Sequence, residues 1–157
     1  MSGFSSPTYR LEQEQFIPRS RTEVFAFFSD AFNLELLTPP FLNFKILTPA
    51  PIEMGPDTLI DYKLSLYGLG FKWRTRIQSH TPEVAFVDLQ ERGPYALWHH
   101  THTFEEVEGG TLMRDVVRYR LPFGFLGRIA HGVFVGRCLR KIFDFRRDAV
   151  ATAFAGS

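Results

Sequence analysis

The chain has 157 residues, 45% apolar and 22% charged, which is typical of one globular domain spanning residues 1–157. Its net charge of +1 gives no overall attraction to nucleic acid, and no stretch reaches the ~20 apolar residues of a membrane span. The single Cys138 excludes an intrachain disulfide, and the N-terminus lacks the basic and apolar regions of a signal peptide. We therefore expect a cytoplasmic protein without a nucleic-acid partner and without stable membrane insertion.

The N-terminal part of the chain predicts one strand followed by two short helices. Weak alternation of apolar and polar residues over 8–16 indicates the strand. Ser20 or Thr22 can cap the first helix, and a glutamate lies three residues after the serine, as in a capping box. Asp30 can cap a second helix over 31–37, which the following Thr-Pro-Pro ends.

Strands dominate the middle of the chain, and the pattern changes to a helical period after Pro122. Alternation and turn residues predict strands over 44–47, 58–67, 71–79 and 84–90, followed by the two strands of a hairpin. Beyond the Pro-Phe-Gly segment, apolar residues recur at helical spacing and predict one long helix of about 20–25 residues. Basic residues are expected to form its solvated side: Arg128, Arg137, Arg140, Lys141, Arg146 and Arg147.

The hairpin between residues 93 and 122 is the most informative segment. We take Gly109-Gly110 as its two-residue loop, because both central positions of the favoured turn need a positive φ. This loop pairs Glu105 with Arg114 and His100 with Tyr119. It also puts Asp115 diagonal to His102, about 7–8 Å away at the backbone.

Alternation along the two strands separates a polar but inward face from a basic outward face. The inward face should hold Trp98, His100, His102, Phe104, Met113, Asp115, Val117, Tyr119 and Leu121. His99 falls on the outward face together with three arginines. So many hydrogen-bonding and ionisable groups on an inward face predict a pocket rather than a solid core.

The element order predicts an α+β protein in which the long helix covers the dry face of an antiparallel sheet. This order, and several local motifs, resemble the SRPBCC superfamily, which includes START, Bet v 1-like and polyketide cyclase or dehydrase-like proteins. The resemblance covers nearly the whole chain and points to a bacterial ligand-binding subgroup. Its motifs are residues 33–40, 86–90, 93–104 and 114–122.

The resemblance implies a helix-grip fold, with a curved antiparallel sheet of about six to seven strands wrapped around the C-terminal helix. Two short helices follow the first strand, and an apolar pocket lies between the sheet and the long helix. The superfamily mixes lipid carriers, hormone binders and enzymes, so it implies no particular reaction.

The residues expected to line or contact a ligand combine aromatic and polar side chains on inward faces. They are Tyr62, Trp73, Asp88, Gln90, Trp98, His100, His102, Phe104, Asp115 and Tyr119. For the polar members the sequence leaves three roles open. They hold the strands in register, they fix polar atoms of a ligand, or they act as general acid and base.

In the catalytic interpretation His100 or His102 transfers the proton, Asp115 orients the ring and Tyr119 donates to a carbonyl. A metal site formed by His100, His102 and Glu106 would match a two-histidine, one-carboxylate pattern. The element order differs from that of the jelly-roll proteins with such spacing, so we predict no metal and no other cofactor.

We therefore expect a protein that binds a small hydrophobic or aromatic ligand, such as a lipid or polyketide-like metabolite, in an internal cavity. The alternative is a cyclase or dehydratase that uses the His/Asp/Tyr cluster. A monomer or homodimer is expected. Replacing His100 or His102 by alanine should impair binding more than replacing His99, because His99 faces outward.

Overall fold

The computed structural model describes residues 6–66 and 68–156. Within these ranges the chain forms seven strands, a set of short helices after the first strand, and a long C-terminal helix. The strands are β1 (Tyr9–Ile17), β2 (Lys45–Ile46), β3 (Leu59–Leu66), β4 (Leu69–Thr81), β5 (Ala85–Arg92), β6 (Leu97–Val107) and β7 (Gly110–Arg120). The helices are α1 (Arg21–Ser29), α2 (Leu34–Leu37), α3 (Gly124–Ala130) and α4 (Gly136–Ala153), with 3₁₀ turns at Ala31–Asn33 and Pro40–Leu42.

All seven strands form one antiparallel sheet in the order β1-β7-β6-β5-β4-β3-β2. The register between β4 and β5 shifts twice, between Arg74 and Thr75 and between Ile77 and Ser79. Such irregularities bend a strand and increase its local twist. The sheet therefore curves around the C-terminal helix, and the predicted helix-grip fold is confirmed.

The short helices begin where the sequence indicates. Ser20, rather than Thr22, caps α1, and its hydroxyl oxygen accepts a hydrogen bond from the Glu23 amide at 3.2 Å. Asp30 accepts one from the Phe32 amide at 3.0 Å and begins the first 3₁₀ turn. Each cap satisfies an amide that would otherwise lack an intrahelical partner.

The hairpin turn lies one residue earlier than predicted. Val107 pairs with Gly110, so the loop residues are Glu108 and Gly109, and Gly109 has a φ of 83°. Gly110 is a strand residue, and a Cβ there would collide with the carbonyl oxygen of Ile17. The second glycine is thus required by its close approach to β1 and not by the turn.

This correction moves the register by two residues, which changes the partners but not the faces. His102 lies directly opposite Asp115 instead of diagonal to it, and Tyr119 lies opposite Trp98 instead of His100. The predicted pairing of Glu105 with Arg114 is also wrong. Glu105 is opposite Leu112, and Arg114 forms an ion pair with Glu14 of β1.

The C-terminal helix consists of α3, a π-helical segment at His131–Val135, and α4, and it is longer than predicted. Its inward stripe includes Leu139, Phe143 and Val150, which are buried against the sheet. Within the described ranges 6–66 and 68–156, no helix is both long and apolar enough to span a membrane.

Side chains fill only part of the space between the sheet and the C-terminal helix. An aromatic and aliphatic cluster that includes Phe25, Phe28, Phe104 and Val150 packs between α1, β6 and the end of α4. Phe25 and Phe104 meet edge to face, with ring centroids 5.2 Å apart. The inward residues of β3 and β4 face an open cavity instead.

Candidate functional site

A cavity of about 690 Å³ lies between the sheet and the C-terminal helix. Alternation along β3 points every second side chain into it, so Ile60, Tyr62 and Leu64 line it while Leu59 is exposed on the other face. Further apolar lining comes from β4, the short helices and the C-terminal helix: Phe71, Trp73, Ile77, Leu34, Leu37, Val135, Leu139 and Phe143. The wall is therefore largely hydrocarbon and aromatic.

One part of the wall is different, and we call it the polar wall. It consists of Asp88 on β5, His100 and His102 on β6, Asp115 on β7, and Arg146 on α4. The strand register assembles it, since His100 lies opposite Asp88 and His102 lies opposite Asp115. Residues from three adjacent strands and the helix therefore meet in one place.

Asp115 is the centre of this group. Its Oδ1 lies 2.9 Å from His100 Nε2, 3.1 Å from His102 Nδ1 and 3.4 Å from Arg146 Nη2. The carboxylate is almost completely buried, so these three nitrogen groups stabilise its charge through Oδ1 in place of water. A buried carboxylate needs this degree of compensation to remain ionised.

Asp88 forms the opposite side of the group and faces the cavity. Its Oδ2 lies 2.6 Å from His102 Nε2 and 3.8 Å from His100 Nδ1. The two imidazole rings stack with centroids 3.7 Å apart, and Phe86 stacks on the far side of His102 at 4.1 Å. His102 is thus held between two carboxylates and between two rings.

The surroundings push the pKa values of the two histidines in opposite directions. Burial lowers the pKa of His100, and the neighbouring His102 lowers it further. Burial would also lower the pKa of His102, but Asp115 and Asp88 on either side outweigh it and raise that pKa above its ordinary value. His102 is therefore the more basic imidazole of the pair.

Both carboxyl groups remain ionised. Burial would raise the pKa of Asp115, but Arg146 and the two histidines hold it well below its ordinary value. Burial would likewise raise the pKa of Asp88, and His100, His102 and Arg146 together hold it lower. The polar wall therefore combines two carboxylates and one guanidinium with two imidazoles, of which His102 binds a proton more tightly than His100.

Asp88 is the most accessible member of the polar wall. Its side chain is 17% exposed, whereas the side chains of His100 and Asp115 are 8% and 1% exposed. Asp88, His100, His102 and Arg146 line the cavity, while Asp115 lies behind them. A molecule in the cavity would therefore meet a carboxylate supported by a charge network.

Arg146 is the member that sequence reasoning misplaced. We assigned it to the basic solvated side of the last helix, but it is buried and its guanidinium lies over the Phe28 ring at 5.3 Å. It occupies the same inward stripe as Leu139, Phe143 and Val150. That spacing is the signal in the sequence, because an arginine within an apolar helical stripe requires a buried anion.

Tyr119 does not join the polar wall, contrary to the sequence prediction. Its hydroxyl lies 2.7 Å from His131 Nε2 on the C-terminal helix. Tyr9 stacks on the same imidazole with centroids 3.6 Å apart. The two-residue change of register explains the difference, because it moves Tyr119 from beside His100 to beside Trp98.

Of the other predicted contact residues, three line the cavity and two do not. Tyr62, Trp73 and Trp98 line the cavity, and Trp73 packs against the other two with centroids 5.8 and 5.4 Å apart. Phe104 belongs to the packed aromatic core instead. The Gln90 side chain donates to the Tyr95 carbonyl at 2.7 Å and accepts from the Tyr95 amide at 3.0 Å. These two bonds hold the Gly-Pro turn that precedes Tyr95.

The polar wall also has the donor types of a metal site. One ligand atom each of Asp88, His100 and His102 lies within 4.8 Å of the others, whereas Glu106 is exposed elsewhere on β6. Binding a cation there would require breaking the 2.6 Å contact between His102 and Asp88, and it would compete with the proton that the raised pKa of His102 favours. The arrangement fits a hydrogen-bond network better than a metal centre.

Comparisons with known proteins agree with this architecture. The model of the family described as polyketide cyclase / dehydrase and lipid transport matches residues 17–145. None of the curated proteins matches the sequence.

Several solved structures share the fold. Protein CV1439 from Chromobacterium violaceum is 12% identical, with a TM-score of 0.73 over 94% of this chain and 98% of that one. The major latex-like protein 151 from Panax ginseng is 10% identical, with a TM-score of 0.68 over 95% and 99%.

A third match covers a segment of a larger protein. The nucleoside-diphosphate sugar epimerase from Corynebacterium glutamicum is 28% identical, with a TM-score of 0.66 over 89% of this chain but 28% of its own. Together with the family match over residues 17–145, the fold assigns the protein: it belongs to the polyketide cyclase / dehydrase and lipid transport family of the SRPBCC superfamily.

Proposed function

We propose that the protein binds a small hydrophobic or aromatic molecule in the cavity, and that this molecule presents a hydrogen-bond donor to Asp88. The cavity of about 690 Å³, with its apolar lining and single polar wall, carries the proposal. Small-molecule sites commonly have volumes of about 300–1,000 Å³, apolar walls and a few placed polar groups. The family's link to lipid transport supports the same ligand class.

The polar wall defines what the ligand must offer. Asp88 is ionised and partly exposed, so it accepts hydrogen bonds from a hydroxyl or amine group. An anionic ligand would be repelled by this carboxylate, because its charge would lie close to the negative charge of Asp88. The favoured ligand is therefore largely apolar, with one donor group near its end.

A fluorescent probe with this chemistry tests the proposal. N-phenyl-1-naphthylamine is aromatic, uncharged and carries one N–H, and its emission rises in apolar sites. Leu64→Trp should fill the cavity and weaken probe binding roughly tenfold or more. Leu59→Trp is the matched control, because Leu59 lies on the same strand but is exposed on the opposite face. Equal probe binding by both variants would exclude the cavity as the site.

The histidines provide a second comparison within the same assay. His100→Ala should weaken binding more than His99→Ala, since His100 lines the cavity and His99 is on the other face of β6. Native mass spectrometry of protein purified from its own host would then identify the natural ligand. Cytoplasmic location and a monomeric or homodimeric state stay predictions from the sequence.

A second candidate function is an enzyme of the cyclase or dehydratase type. The observation that favours it is the 2.6 Å contact between Asp88, whose pKa is lowered, and His102, whose pKa is raised, which places a candidate base and a candidate acid on one wall of an apolar cavity. Tyr119 has no role in this version. If a captured ligand leaves the protein with the mass of a dehydrated or cyclised product, the enzyme interpretation is correct; unchanged release supports binding alone.

A further inference from the structure

The start of the C-terminal helix carries an exposed apolar surface, which we call the docking face. Phe123 is 80% exposed, Phe125 60%, Leu126 58%, Ile129 57% and Val133 60%. Large aromatic and branched side chains seldom gather on a surface unless that surface meets something apolar. We therefore expect the docking face to contact a binding partner.

The backbone leading into the helix supports this view. Phe123 adopts a φ of 69°, a left-handed conformation that is unfavourable for an aromatic residue. Two contacts beside it explain how it is held: Ser6, near the N-terminus, donates to the Gly124 carbonyl at 2.8 Å, and Gly127 packs closely on the Pro122 carbonyl. Strain of this kind at an exposed aromatic is typical of a functional surface.

The charge around the docking face identifies the kind of partner. Residues 116–143 contain six basic residues and no aspartate or glutamate. Arg128, Arg137, Arg140 and Lys141 are all exposed. Arg137 and Lys141 continue the four-residue spacing of Phe125, Ile129 and Val133, so each of these exposed side chains neighbours the next along the C-terminal helix.

We propose that the docking face binds the surface of an anionic lipid bilayer, with its apolar side chains in the headgroup region and the basic residues on lipid phosphates. Amphipathic helices with this combination lie in the membrane interface and gain affinity from both components. A second copy of the chain fits less well, because a symmetric contact would bring the arginines of both copies together.

Docking would also place the cavity close to the lipid. Phe134 and Val135 follow Val133 directly in the π-helical segment, and both line the cavity. The wall of the cavity and the docking face are thus opposite sides of one stretch of helix. The membrane proposal nevertheless stands without any ligand, because it rests on the outer surface alone.

Vesicle co-sedimentation tests the proposal with the full chain. The protein should bind vesicles of phosphatidylcholine mixed with phosphatidylglycerol, bind pure phosphatidylcholine much less, and lose binding as salt rises. Removal of each basic residue around the docking face should weaken binding to the mixed vesicles about fivefold. The variant is Arg128→Gln/Arg137→Gln, and the control is Lys45→Gln/Lys63→Gln, which removes two exposed charges from paired positions on β2 and β3.

The apolar component has its own variant. Phe125→Ser/Ile129→Ser should lower vesicle binding roughly tenfold or more, and Leu36→Ser, at an exposed leucine of α2, should not. Equal binding to neutral and mixed vesicles, or equal losses in the charge variant and its control, would overturn the proposal. So would a concentration-dependent dimer in sedimentation velocity that Phe125→Ser/Ile129→Ser dissolves, because the face would then join two copies.

Discussion

The two sides of the cavity are built by the same alternation of side chains but depend on different forces. On β3, Ile60 and Leu64 present hydrocarbon to the cavity, and each contributes through its own contacts. On β5 to β7, Asp88, His102 and Asp115 present charges that are stable only in each other's presence. An apolar wall tolerates exchange of one residue for another of similar size, whereas a charged wall depends on the whole set.

The buried network also differs in its exposure to water from the ion pairs on the outer face of the sheet. Asp61 and Arg74 form a bidentate pair at 2.8 and 3.1 Å, but water competes for both groups. Asp115 forms contacts of similar length with no such competition. Loss of one charged partner should therefore lower the free energy of unfolding much more in the polar wall than on the outer face of the sheet.

The largest effect should follow from removing the central charge of the polar wall. Asp115→Asn leaves Arg146 and His102 without their shared anion, and loss of one partner from a buried pair costs about 3–5 kcal/mol. Urea unfolding would measure the decrease in free energy of unfolding. Asp61→Asn is the control and should have a small effect, since its pair is on the surface. Equal losses in the two variants would show that the polar wall is not a coupled network.

A smaller effect is expected in the pH dependence of stability, where the two histidines of the polar wall should act in opposite directions. His102 has a raised folded pKa, so its stabilising contribution is complete below the unfolded pKa of about 6.5 and is lost as pH rises through the folded pKa. His100 has a lowered folded pKa, so its contribution is present above about 6.5 and is lost as pH falls. The two contributions oppose each other near neutrality.

Imidazole NMR separates these contributions. With ¹⁵N-labelled histidine, His102 should remain protonated at a pH where His100 is already neutral. Asp115→Asn should bring the pKa of His102 down, because it removes one of the two flanking charges. The contrary result, His100 protonated at a higher pH than His102, would reverse the assignment of the proton and of the base in the proposed site.

The sequence predicts the fold and the inward positions of the histidines for clear physical reasons. Alternation along strands is insensitive to a register change of two residues, so His100 and His102 face inward although the turn was assigned one residue too late. Partners across the sheet are sensitive to that change. Asp115 consequently lies closer to His102 than predicted, and Tyr119 lies elsewhere.

Long-range packing explains what the sequence did not indicate. The sequence alone explains Gly110 as a turn residue. In the structure a side chain at this position is excluded by the carbonyl of Ile17, which is distant in the chain. Arg146 was assigned to the solvated side because arginine is usually exposed. Its burial depends on Asp115, which a helix pattern considered alone does not include.

The smallest predicted effect concerns a neutral pair on the apolar side of the cavity, and it shows how that side differs from the polar wall. Tyr62 and Thr75 share a hydroxyl hydrogen bond of 3.0 Å, and burial keeps the pKa of Tyr62 raised so that it stays neutral. Tyr62→Phe leaves the buried Thr75 hydroxyl unpaired and should cost about 1–3 kcal/mol in urea unfolding. The double variant Tyr62→Phe/Thr75→Val removes both polar groups with little change of shape, and should recover most of that loss. No such recovery is expected for His102→Leu/Asp115→Leu, because Asp88 and Arg146 would each lose the closest charged partner. A Tyr62/Thr75 double variant less stable than either single variant would show that this side of the cavity is coupled as well.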